Sequence, residues 1–127
     1  MTSLSSVDRI TAVHNRIISI TGLPGSVKLL DLSDNVSIDA ESLSCTANLY
    51  ICIMKNTKLV NVNYLSRCNS MLYLDLENCG LEGNDLDFLQ NYKTLLYLNI
   101  SNNMYTKAPV LSTLMLRQLD LSNNEIA

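Results

Sequence analysis

An α/β solenoid of about six stacked turns is predicted, and three observations predict it. Apolar residues recur at i, i+3 and i+5 with an anchor, mostly Asn, at i+8. These frames follow one another every 20 to 24 residues, and the 47% hydrophobic residues are spread evenly over 127 positions with only 17% charged. Such a period marks an array in which each unit buries its apolar face on its neighbours.

The clearest frame is Leu95, Leu98, Ile100, Asn103 within LLYLNISNN. Upstream of it the frame reads Val7, Ile10, Ala12, Asn15; then Val27, Leu30, Leu32, Asn35; then Asn48, Ile51, Ile53, Asn56; then Met71, Leu74, Leu76, Cys79. The last is Leu116, Leu119, Leu121, Asn124. This L-x-x-L-x-L-x-x-N/C signature resembles the leucine-rich repeats. Apolar steps of three, as in Leu59, Val62, Leu65, Cys68, with N-x-I at Asn15-Ile17 and Asn124-Ile126, are similar to the short SDS22-like class. The resemblance implies a right-handed solenoid, a parallel β-sheet on its concave face, and loops, 3-10 turns or short helices on the convex side.

Taken in order, Val7 to Val13 is preferred as a strand, with a short helix capped by Ser5 or Ser6 as the alternative. Leu23-Pro24-Gly25 closes that repeat, since Pro and Gly break a helix. VKLLDLSDN alternates as an inside-outside strand, and Asp39 to Leu43 opens a helical turn behind it. NLYICIMKN lacks its first apolar slot. Gly83 to Thr94, with acidic residues ahead of Leu86, Leu89 and Tyr92, is the best convex-side helix. Pro109 keeps the final return segment extended or in turns. No polar cap follows Ile126, so the expectation is a fragment or an uncapped part of a longer array, in a single domain over residues 1–127.

Residues alternating with the inward leucines face out and stack in rows about 4.8 Å apart. The first row reads Arg9, Leu29, Tyr50, Tyr73, Tyr97, Gln118. The second reads Thr11, Asp31, Cys52, Asp75, Asn99, Asp120, and the third Val13, Ser33, Met54, Glu77, Ser101, Ser122. A tyrosine stripe beside Cys52 and Met54, ringed by carboxylates, is the candidate partner surface, because Tyr offers rigid area with a polar tip. Tyr, Asp and Ser are also habitual at these slots, and neighbouring tyrosines stabilise a sheet by themselves. The anchors Asn15, Asn35, Asn56, Cys79, Asn103 and Asn124 are read as a structural ladder, their side chains bonding main-chain groups that tight turns would bury unpaired.

No chemistry is expected. His14 stands alone in a turn, and Cys52 has carboxylates rather than a base beside it in the rows, which raises a thiol pKa. Asp31, Asp75, Glu77 and Asp120 alternate with poorer ligands, so neither a metal nor another cofactor is expected. No phosphate-binding glycine loop occurs. Net charge is −3 without a basic run, which disfavours direct nucleic-acid contact. No apolar run reaches membrane-span length, and the N-terminus does not read as a signal peptide. Cys45, Cys52, Cys68 and Cys79 lack C-x-x-C spacing; Cys68 and Cys79 are read as buried thiols, and a cytoplasmic or nuclear, intracellular location is expected. The sequons at Asn35 and Asn99 are read as accidental. The resemblance implies a scaffold, adaptor or regulatory subunit binding another protein. Its alternative is the recognition segment of a larger enzyme or receptor, and a third reading is a ribonucleoprotein component held through a protein partner.

Overall fold

The computed structural model describes residues 7–20, 22–43, 48–111 and 115–126. Six three-residue strands form one parallel sheet: β1 (Arg9–Thr11), β2 (Leu29–Asp31), β4 (Ile51–Ile53), β6 (Tyr73–Asp75), β7 (Tyr97–Asn99) and β8 (Gln118–Asp120), each paired only with its neighbours in chain order. β3 (Ser37–Asp39) and β5 (Lys58–Val60) form a second, two-stranded sheet just beyond the turns. The return segments carry 3-10 helices at Ala40–Leu43, Val62–Arg67 and Asp87–Asn91. The first repeat is therefore a strand. The segment from Gly83 to Thr94 makes only a 3-10 helix, because a return path this short leaves room for a turn and a half.

One core runs the length of the coil. Leu30, Cys52, Leu74 and Leu98 line up across the sheet and all are fully buried. Behind them Phe88 and Tyr92 meet edge to face at 5.5 Å, and the buried Tyr92 hydroxyl donates to the Leu65 carbonyl at 2.7 Å. In β8 the equivalent Leu119 is 44% exposed, since among the described residues no strand stacks beyond it.

The third repeat is shifted by one residue from the expected frame. Its pairs are Leu29 with Ile51, Leu30 with Cys52, and Asp31 with Ile53. Cys52 and Met54 are thus core residues, not outward ones; Ile51, Ile53 and Lys55 take the outward slots; Leu49 fills the apolar slot that seemed lost. The anchor is Thr57, not Asn56, which places it 22 residues after Asn35.

The ladder confirms this register. Each anchor donates to a carbonyl of the preceding repeat: Asn35 to Ala12 (3.1 Å), Thr57 to Leu32 (3.2 Å), Cys79 Sγ to Met54 (2.9 Å), Asn103 to Leu76 (3.0 Å) and Asn124 to Ile100 (3.0 Å). Asn15 is exposed and, with no described repeat before it to bond, donates to Val13 in its own turn. Asn56 belongs to a second column that the sequence reading missed. The residue before each anchor sits in the left-handed region: His14, Asp34, Asn56, Asn78, Asn102 and Asn123. Asn and Asp tolerate that conformation best among residues with a side chain. Their amides chain along the edge, Asn56 to Asp34 at 2.9 Å and Asn78 to Asn56 at 3.1 Å. His14 Nε2 lies 3.5 Å from Asp34, a contact between adjacent turns.

Candidate functional site

The corrected first outward row is Arg9, Leu29, Ile51, Tyr73, Tyr97, Gln118. Its four central members are apolar or aromatic and half-buried. The Tyr73 and Tyr97 rings stack with centroids 4.0 Å apart and planes within 3°. Burial and the neighbouring Tyr73 hydroxyl push the Tyr97 phenol up to about 12, so it remains a donor at neutral pH. Tyr50 lies one residue ahead of this row, level with the exposed Leu72 (39%) and Leu96 (37%), and widens the apolar strip instead of belonging to its crest.

The second row does structural work. Asp31 accepts from the Ser33 amide and hydroxyl, Asn99 likewise from Ser101, and Asp120 from Ser122. These D/N-x-S bridges tie down the strand exits, which explains why the pattern repeats. Hydrogen bonds from Ser122 hold the Asp120 carboxyl below its usual range. Asn99 is buried in this role and Asp31 half-buried. Of the carboxylates expected on the surface, Asp120 is exposed and Glu77 partly so.

Asp75 departs from the pattern because Glu77 stands where the repeats of Asp31, Asn99 and Asp120 have Ser. Its side chain is fully covered; one oxygen accepts the Glu77 amide at 3.1 Å and the other lies 3.4 Å from the Lys55 ammonium. Lys55 also lies 3.8 Å from Glu77. Asp75 is therefore a shielded ion-pair member, not a free contact residue. Burial raises its carboxyl above the usual range against the pull of the Glu77 amide and Lys55. Asp75, most of all, holds Lys55 above its own range, so the lysine stays charged.

A folded-state value above the unfolded value of about 3.9 stabilises the fold fully below that value and is lost as pH rises through the folded value. Asp75→Asn removes this dependence. The urea midpoint of Asp75→Asn minus that of wild type is expected to grow as pH rises from 4 to 7.5. A shrinking difference contradicts the placement. Asn99, in the same slot of the next repeat, shows that an amide fits there.

Cys52 and Cys79 are free and buried. Burial pushes the Cys79 thiol up to about 12 and Cys52 further, which makes both inert as nucleophiles at neutral pH. Cys68 is buried as expected but is disulfide-bonded, not a thiol; Cys45 lies outside the described residues. Asn35 and Asn99 are buried and hydrogen-bonded within their turns, which sets both sequons in occupied positions. Among the described residues no three His, Cys, Asp or Glu side chains gather as a metal site, and no helix is long and apolar enough to cross a membrane.

No family model matches the chain, and no curated protein does. A solved structure that resembles it is the LRR ectodomain of the receptor kinase SOBIR1 from Arabidopsis thaliana. That structure is 24% identical with a TM-score of 0.63, over 92% of this chain and 69% of the other. The likeness and the repeating sheet together establish the architecture: the chain folds as a right-handed leucine-rich-repeat solenoid.

Proposed function

We propose that the chain is a non-catalytic protein-interaction module that binds a partner protein through the concave face. The observation that carries this reading is the row Leu29, Ile51, Tyr73, Tyr97, four large apolar side chains on consecutive strands that the core does not require. A contiguous row of half-buried apolar side chains on a sheet face favours partner contact. A scaffold, adaptor or regulatory subunit uses such a face, and the stepping of three in the return segments supports the short SDS22-like class. The same face suits the recognition segment of a larger enzyme or receptor equally well. The experiment is affinity purification from the source cell with quantitative mass spectrometry. A protein retained by wild type is expected to be lost with Ile51→Asp and with Tyr97→Ala, while circular dichroism stays unchanged. Retention by both variants refutes the reading.

A second reading concerns compartment, and Cys68 favours it. Composition and the N-terminus pointed inside the cell, whereas a disulfide supports maturation where disulfides persist. Iodoacetamide labelling in denaturant is expected to modify Cys52 and Cys79 without reductant and Cys68 only with it. Cys68 labelled without reductant, on protein isolated from its source under acid quench, returns the chain to the reducing interior.

A further inference from the structure

The partner segment can be specified more closely, on the premise that the concave face is the binding site. Each of four consecutive strands contributes one apolar crest residue, so the crest has one anchor point about every 4.8 Å. An α-helix laid across the strands presents one apolar residue per turn, every 5.4 Å. An extended segment presents same-side residues about every 6.7 Å and loses register after two strands. Charge is polarised across the strip. Lys28 and Arg117 lie at the entry ends of the strands, and Arg9 joins them at one end of the crest, so that side stays net basic with the exposed Asp8 counted against them. Asp31, Glu77 and Asp120 lie on the exit side. Lys55, the cation on that side, is committed to Asp75 and Glu77. Two shallow hollows close the strip, one of about 140 Å³ beside Leu29 and Ile51 and one of about 450 Å³ beside Tyr97 and Asp120.

The geometry points to an amphipathic helix of about three to four turns as the occupant. Its apolar stripe lies on Leu29, Ile51, Tyr73 and Tyr97, its basic flank faces Asp31, Glu77 and Asp120, and its acidic flank faces Lys28 and Arg117. A helix running in either direction can satisfy this polarity, so the flanks determine which end of the helix lies over Arg9.

Random 16-residue peptides displayed on phage, selected on the wild-type chain and counter-selected on Ile51→Asp, test this. Survivors are expected to carry apolar residues at i, i+3 or i+4, i+7 and i+11 with Lys or Arg along one flank. The strongest survivor is expected to gain helical ellipticity on binding and to bind the Glu77→Lys, Asp120→Lys double variant at least five-fold more weakly. Survivors with apolar residues at every second position, or with proline-rich segments, overturn the helix while leaving the face as a binding site. Survivors indifferent to charge reversal overturn the polarity. If no Ile51-dependent survivors emerge, this inference falls, and the affinity purification above decides separately whether the face binds a protein at all.

Discussion

Asn103→Ala is expected to cost about 3 to 5 kcal/mol, because each buried main-chain group left unpaired costs about 1 to 3 kcal/mol. The Asn103 side chain donates to Leu76, Ile100 and Ser101 at 2.9 to 3.1 Å and accepts from the Cys79 and Leu81 amides at 3.0 and 3.1 Å. Truncation strands both amides in an interior where water does not reach. Asn102→Ala, one position earlier and exposed, loses a surface bond to Glu77 at 3.2 Å and sets Ala in a left-handed backbone, so it is expected to cost only about 1 kcal/mol. Urea unfolding of the pair measures the contrast. Equal midpoints would remove the ladder as the structural spine.

Cys52→Lys and Ile53→Lys are expected to differ by at least about 3 kcal/mol, the scale of an uncompensated buried charge. Cys52 points into the core between Leu30 and Leu74, whereas Ile53 lies outward between Asp31 and Asp75, where a cation is welcome. The frame first read from the sequence predicts the reverse order. Thermal melts of the two variants therefore test the register directly, and an unfolded Ile53→Lys beside an intact Cys52→Lys would restore the earlier frame.

That frame slipped for a physical reason. NLYICIMKNT fits the repeat twice, once with Ile51, Ile53 and Asn56, once with Cys52, Met54 and Thr57. Asn at an anchor and Ile in a core are both common, so hydrophobicity alone chose the first. The signal that decides between them is the residue before the anchor, which must adopt a left-handed backbone. Asn56 suits that slot ahead of Thr57, while Lys55 ahead of Asn56 does not. The other five frames, the strand positions and the parallel order were legible because Leu spacing encodes them. The surface was less so: Tyr73 and Tyr97 were found in the first row, but Ile51 was missed with the register. The covering of Asp75 depends on the pair Lys55 and Glu77, which meet only through stacking of neighbouring repeats. The Cys68 disulfide has no local signature either, since no cysteine spacing in the chain marks it.

Each strand of the main sheet bonds only the strands before and after it, so among the described residues no strand pairing staples the first coil to the last. Such a chain melts like a zipper opened from its ends. Deuterium uptake should be fastest at β8, where Leu119 is uncovered, and slowest at β4 and β6. Under a pulling force the coils should release one after another, giving a staircase of small extensions in place of a single rupture.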